Sequence, residues 1–391
     1  MNQTIINNTN QTIQINTMEK PARLISLDAL RGFDMFWIIG GENVFMALSK
    51  ASNNGFMNSV AEQLDHVPWE GFRFYDLIMP LFLFMVGMSI PFSLSKRMAS
   101  GESNKSIYLH TIKRVVILFL LGMVCQCHLL SLDPSKLFII HDTLQSIAIG
   151  YFFSVLIYTR LKLKNQLILT SGLLLIYWVI LQFVAVPGHV AGLMTPEINI
   201  AKYVEHLVFG QFDDAPSAYT WFLGSLGFVA TVMTGVFAST IIRSEKVNFK
   251  WVSSPNPLMH KSVALTITGL ALAIAGQLAN IWFPIIKHIW NPSFVLFASG
   301  LSFLLMALFY YIIDVKGYQR WAFWLKVIGM NSIAIYMAVH LIDFSDIAHN
   351  LVFGFEQFFQ SYYPAFQAVV RLAIEYGILY YLYKKGTFIK V

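Results

Sequence analysis

The chain has 391 residues, 56% of them hydrophobic and only 12% charged, with a mean hydropathy of +0.59. A soluble domain carries about twice that share of charge, so a water-soluble enzyme is excluded and a polytopic membrane protein is implied. The net charge of +6 and a pI near 9.1 then belong to cytoplasmic loops, where Lys and Arg concentrate. The expected environment is a lipid bilayer, and no nucleic-acid partner is expected.

Residues 1–22 are polar and rich in Asn, Gln and Thr. They have no apolar core of the signal-peptide kind and are read as a disordered cytoplasmic tail. Residues 23–391 form a single transmembrane domain in this reading. Ten hydrophobic runs follow, near 27–48, 74–95, 111–130, 138–159, 166–186, 220–242, 262–283, 293–313, 325–342 and 365–383, each close to the roughly 20 residues that cross a bilayer as a helix. The predicted fold is therefore all-α, with about ten transmembrane helices. Twenty of the 27 basic residues fall in the tail and the even-numbered loops, against Lys50, Arg73, Lys136, Lys202 and Lys287 on the other side. This division places both termini in the cytoplasm. The opposite loops are acidic, which suits a cationic solute at the mouth, although carboxylates are also simply free to occupy translocated loops. The longest loop, about 187–219, is too small for a second domain and has room for a short helix.

In the first run Asp28, Arg31 and Asp34 are spaced by three and share one helix face. They read either as a structural cluster at the helix end or as a polar socket for an anionic group. Gly40 and Gly41 allow close helix approach, and Glu42 and Asn43 bring polar groups toward the outer leaflet. A carboxylate there is unfavourable unless it faces a cavity.

The stretch LDHVPWEGFRFYDLIMPLFLFMVG, residues 64–87, turns from polar to fully apolar. A free imidazole titrates near neutrality, so a histidine such as His66 can act as base, acid or acyl acceptor. Asp65, Glu70 and Asp76 are near enough in sequence to orient it. Cys125 and Cys127 are too closely spaced for an unstrained mutual disulfide. With His128 they offer part of a metal site, but buried inert thiols are the plainer reading, and no metal is expected. His141, Asp142 and Gln145 open the fourth run and face the same outer side. Arg371 and Glu375 are four apart in the last run and can pair. No Walker loop, dinucleotide fingerprint, HExxH or Cys-rich metal motif occurs, which argues against nucleotide hydrolysis and dinucleotide redox chemistry.

Together these residues resemble the heparan-α-glucosaminide N-acetyltransferase family. Ser26, Leu27, Asp28, Arg31 and Gly32 are similar to its S-(L/V)-D-x-x-R-G opening. His66, Trp69, Gly71, Asp76, Pro80, Phe82, Phe84 and Gly87 fall on H-x-x-W-x-G-x-x-x-x-D-x-x-x-P-x-F-x-F-x-x-G. LQSIAIGYF, WNPSFVLFASG and IGMNSIAIYM look like later family motifs. The family's first-span asparagine falls near Glu42 and Asn43. In the fourth span His141 to Gln145 stand where many members have an Arg followed by Gly-Val-Leu-Gln. The resemblance implies acetyl transfer from cytosolic acetyl-CoA, as co-substrate, to the amine of a glucosamine on the outer face, with His66 on the active-site histidine.

The expected function is thus a transmembrane acetyltransferase of a bacterial inner membrane. Its catalytic candidates are His66, Asn43, Glu42 and Asp76, and Arg31, Asp28 and Asp34 are candidates for holding acetyl-CoA. Trp69, Glu70, His141, Asp142 and Gln145 are candidates for binding an amino-sugar or glycan acceptor. A homodimer is an open option. The alternatives are an amino-sugar or glycan transporter, which the same acidic mouth would serve, and an acyltransferase acting on an envelope glycan.

Overall fold

Side-chain caps and prolines set where the long helices begin. Asn256 and Asn291 each accept a backbone N–H of the first turn, and a proline follows each in that turn, where its missing N–H is not needed. The computed structural model describes residues 24–214 and 217–389; the predicted tail, 1–22, lies outside them. In chain order the helices are α1 (Ile25–Phe36), α2 (Glu42–Ser52), α3 (Gly55–Gln63), α4 (Ile78–Ala99), α5 (Asn104–Cys125), α6 (Thr143–Arg160), α7 (Leu163–Phe183) and α8 (Ile200–Phe209). Then come α9 (Gly224–Arg243), α10 (Pro257–Asn280), α11 (Pro292–Tyr310), α12 (Phe323–Met330), α13 (Ser332–Leu341), α14 (Phe344–Val352), α15 (Glu356–Phe359) and α16 (Tyr363–Lys384). No strand occurs among the described residues, only two isolated backbone bridges, so the all-α expectation holds.

Among the described residues six helices are long and apolar enough to cross a membrane, and α12 with α13 makes a seventh if that bent pair is one span. The other predicted runs differ for identifiable reasons. The run at 27–48 is not one helix: a π-type turn, Trp37–Gly41, separates α1 from α2, with Gly40 at φ 119°. The run at 325–342 breaks at Asn331, where α12 and α13 meet at 62°. Asn331 spends its amide on the chain's end, donating to Thr387 O and accepting from Ile389 N. α6 and α16 carry polar residues inside the protein, Gln145, Ser146 and Ser154 in one and Glu375 in the other, so their mean apolarity is low. The helix allowed for in the 187–219 loop is α8.

α4 and α9 are central, with 72% of each apolar window inside the protein, against 22% for α5, α7 and α10, which are left to face lipid. Lipid is as apolar as leucine, so close packing rather than water exclusion holds such helices together. α4 and α9 cross where Gly87 meets the backbone of Val232 and Gly235 meets that of Phe84; a Cβ at either would overlap a carbonyl. α1 and α12 touch in the same way, Gly32 on the Leu325 carbonyl and Gly329 on that of Asp28. Phe84, Phe228, Trp290, Phe294 and Phe303 fill the centre, and Trp290 meets the Phe228 ring edge-on at 4.9 Å, a favoured aromatic geometry.

Candidate functional site

A cavity of about 320 Å³ opens at one end of the bundle. There the end of α5, the first turn of α6 and the last turn of α13 meet the segments before α4, α9 and α11. His66, Tyr75, His141, Tyr219, Lys287 and Tyr336 contribute to its wall.

The 64–77 segment is shaped by Asp76. This carboxylate is buried in the short turn Phe74–Leu77. Its Oδ2 accepts the backbone N–H of Arg73 at 3.0 Å and that of Val67 at 3.4 Å. Its Oδ1 lies 2.8 Å from His66 Nδ1. Arg73 closes the loop from outside, donating to His66 O and to Glu62, both at 3.0 Å. An ionised carboxylate only accepts hydrogen bonds, so the proton of a neutral His66 sits on Nδ1. Nε2 is then the nitrogen left for the cavity.

Lys287 is the third member of the cluster. Gly71, at φ 117°, lets the segment turn so that its N–H reaches Ile285 O at 2.9 Å, and Glu70 forms an antiparallel bridge with Ile286. The residue after that bridge is Lys287. It is buried, with Nζ 3.3 Å from Asp76 Oδ1. Nζ also lies 3.0 Å from His66 Nδ1 and 3.4 Å from Nε2. Both distances can be met without collision with the carbon between the nitrogens only if Nζ stands off the ring plane. The ammonium therefore rests over the imidazole face rather than on a lone pair. Burial pulls the Lys287 pKa down to about 8, against the opposing pull of Asp76. The neighbouring His288 is pushed down to about 4 by burial and by the charge of Lys287.

A second histidine lines the cavity. His141 Nδ1 is 2.7 Å from Asp214 Oδ2, close enough for an ion pair though not aligned as a hydrogen bond. Asp214 is held by Trp221 Nε1 at 3.0 Å. Nearby, Tyr336 donates to Asp142 Oδ2 at 3.0 Å and Gln126 Nε2 lies 2.7 Å from His340 Nε2.

The structure thus gathers His66, Asp76 and His141 at or behind one cavity. Asp142 and Gln145 are fully buried beneath it and form a capping box at the start of α6. Gln145 also accepts from His141 N and donates to Ile139 O, so its amide is occupied by backbone. Trp69 stacks on His288 at 5.1 Å and donates to Met194 O, and Glu70 is exposed. Glu42 and Asn43 do not line this cavity, although the Glu42 carboxylate is near enough to act on Tyr75 in its wall. Their side chains bond each other at 2.9 Å, and Asn43 lines a different pocket with Gln367 and Arg371. Arg371 pairs with Glu375 at 2.9 Å, as the spacing predicted.

Asp28, Arg31 and Asp34 lie on α1 and do not line the cavity, whose wall the chain enters at Ile38 in the π-type turn after α1. That is seven residues beyond Arg31, about 10 Å at 1.5 Å per residue, while Asp34 is close enough for its charge to act on Tyr75 in the wall. Arg31 contacts Asp28 at 3.5 Å and donates to Ser89 at 3.0 Å, while Asp34 is fully buried. Cys125 and Cys127 are free thiols. Lys287 escaped the sequence reading. Its signal was present: it is one of five basic residues on the acidic side, and it follows the apolar run Phe283 to Ile286.

Apolar membrane-length helices around a histidine–carboxylate–lysine cavity define a multi-pass membrane protein with a site fit for acid–base chemistry. The chain belongs to the heparan-alpha-glucosaminide N-acetyltransferase family, an acyltransferase family: the profile described as "Heparan-alpha-glucosaminide N-acetyltransferase, catalytic" matches residues 23–274. The heparan-alpha-glucosaminide N-acetyltransferase of Mus musculus is 24% identical over 375 residues, covering 83% of this chain and 56% of the mouse protein. The Homo sapiens protein of the same name is 23% identical over 445 residues, covering 95% of this chain and 60% of its own length. The chain spans less than two thirds of either relative. His66, Asp76 and His141 lie within the profile match; Lys287 lies beyond it.

Proposed function

We propose that the protein transfers acetyl from acetyl-CoA to the amine of a glucosamine-type sugar, with donor and acceptor on opposite sides of the membrane. The observation that carries this reading is His66, its Nδ1 held by Asp76, in a cavity of a chain from an N-acetyltransferase family. About 320 Å³ falls at the small end of ligand cavities. It suits a sugar ring and a thioester end, not the whole coenzyme. In this reading residues 23–391 act as one unit that crosses the membrane ten times. Both termini are cytoplasmic and the His66 cavity opens outward, as the division of basic residues supports. Arg31 and Ser89 lie on the cytoplasmic side of His66, where the coenzyme's anionic portion would pass.

His66 Nε2 takes a proton from the attacking nitrogen and gives it to the departing thiolate. The other proton of the sugar ammonium leaves to water at the cavity mouth. A direct transfer of this kind needs no covalent enzyme intermediate. The family match lends no support to the transporter alternative.

The test uses vesicles loaded with acetyl-CoA and given glucosamine outside. N-acetylglucosamine is expected outside, with free thiol inside, and His66→Ala is expected to lower the rate at least about a hundredfold. Uptake of unmodified sugar without thiol release would overturn the reading. So would full activity in His66→Ala. Radiolabel retained on denatured wild type after incubation with labelled acetyl-CoA alone would replace direct transfer with an acetyl-histidine.

A further inference from the structure

Lys287 is more than a counter-ion for Asp76. A lysine that only neutralised the carboxylate could approach it from any side. This one lies over the imidazole, as close to the ring nitrogens as to Asp76, and it forms part of the cavity wall. Its backbone is fixed on both sides. The Glu70–Ile286 bridge precedes it, Trp290 N donates to Lys287 O at 2.8 Å, and Thr220 N donates to His288 O at 2.9 Å. A buried cation on a fixed backbone needs little reorganisation when negative charge develops beside it, and such preorganised charge is often the largest single contribution to catalysis.

We propose that Lys287 is a catalytic residue of acetyl transfer, its ammonium stabilising the oxyanion that forms on the acetyl carbonyl beside His66 Nε2. The inference rests on the reading of His66 as base. In the step, the amine lone pair forms the C–N bond and the carbonyl π pair moves onto oxygen, facing Nζ. Nε2 takes a proton from the new ammonium. The oxygen pair then returns, the C–S bond breaks, and the thiolate accepts the proton from Nε2. Lys287 keeps its own protons throughout. The same charge disfavours a lasting imidazolium 3.0 to 3.4 Å away, which helps return the proton to sulfur. The ionisable groups facing Lys287 are Asp76, His66, His288 and Tyr219.

The full chain in lipid nanodiscs is assayed with acetyl-CoA and glucosamine as wild type, Lys287→Met, Lys287→Arg and His66→Ala. Lys287→Met should lower kcat about 10²–10³-fold with both KM values nearly unchanged, and Lys287→Arg should recover much of that loss. Wild-type kcat should fall as pH rises past about 8, where Lys287 loses its charge. In Lys287→Arg this alkaline fall should vanish, because a guanidinium stays charged. The proposal is overturned by near-wild-type kcat in Lys287→Met, by a loss confined to KM, or by an unchanged alkaline limb in Lys287→Arg. Should Lys287→Met not accumulate, the Arg variant and the wild-type pH profile decide: a flat wild-type profile through pH 9 overturns it. An inactive His66→Ala with an active Lys287→Met removes only the role of Lys287. An active His66→Ala removes the base reading, and the oxyanion role with it.

Discussion

Replacing Asp76 by Asn changes one atom and should invert the chemistry of His66. The backbone N–H groups of Arg73 and Val67 both point at Oδ2, so the amide oxygen of the substituted side chain must take that place. Its NH₂ then occupies the position of Oδ1, facing His66 Nδ1 and Lys287 Nζ. An NH₂ donates, so Nδ1 becomes an acceptor and the ring proton moves to Nε2, where a base needs a lone pair. Loss of a general base lowers rates by roughly 10²–10⁴, or about 3–5 kcal/mol at 1.36 kcal/mol per tenfold. Lys287 also loses its counter-charge. Breaking a buried ion pair destabilises by about 3–5 kcal/mol when the remaining group stays charged, an upper bound here because Lys287 can release its proton. Acetyl transfer to glucosamine and the thermal midpoint in detergent measure the two effects separately. Asp76→Asn should lose both activity and stability, and Asp76→Asn with Lys287→Met should regain stability without activity. A well-folded Asp76→Asn protein with more than a tenth of wild-type kcat would refute the tautomer argument.

With Cys125 and Cys127 replaced, an impermeant thiol reagent on intact cells should label a cysteine at Ser59 and spare one at Ser103; the reverse pattern would invert the proposed orientation. Gly235→Leu should sharply reduce the folded protein recovered from membranes, because its side chain would enter the Phe84 backbone, and overpacking of this kind costs about 1–3 kcal/mol or more. Size-exclusion profiles of the solubilised protein check it. Lys287 titrates at about 8 in the fold against a reference value of 10.5, so between those values the unfolded chain binds more protons. Its contribution makes stability rise with pH across that window while acetyl transfer falls, and unfolding midpoints measured beside rates separate this from alkaline denaturation.

The membrane class was legible because it depends on local pattern, and so was a nearby carboxylate partner for His66, narrowed to Asp65, Glu70 or Asp76, of which the structure selects Asp76. His66 and Asp76 are ten positions apart, and the short turn Phe74–Leu77 carries Asp76 to the start of α4. Lys287 was not legible, because it reaches His66 from 221 residues away through a two-residue backbone bridge that leaves no periodic trace. Glu42 and Asn43 are a different case, since neither lines the His66 cavity. Their polarity near a membrane boundary was correctly unusual, but the left-handed Gly40 redirects the helix and sets Asn43 beside Arg371 instead of His66. Hydropathy also cannot tell a continuous span from one broken at Asn331, where a single amide bonds to residues 387 and 389.

The bare seam between α1 and α12 has a mechanical consequence. Two helices whose backbones touch at Gly32 and Gly329 have no layer of side chains between them to shear. A displacement of α12 is therefore handed to α1 with little loss, in an interior as incompressible as an organic crystal. α1 runs from that seam to Phe36, and the π-type turn that follows carries Ile38 into the cavity wall. The interruptions of these two helices, at Trp37–Gly41 and at Asn331, lie just beyond the seam on either side. The seam therefore ties the helix that leads to the cavity wall directly to the helix that ends at Asn331, whose amide bonds to residues 387 and 389.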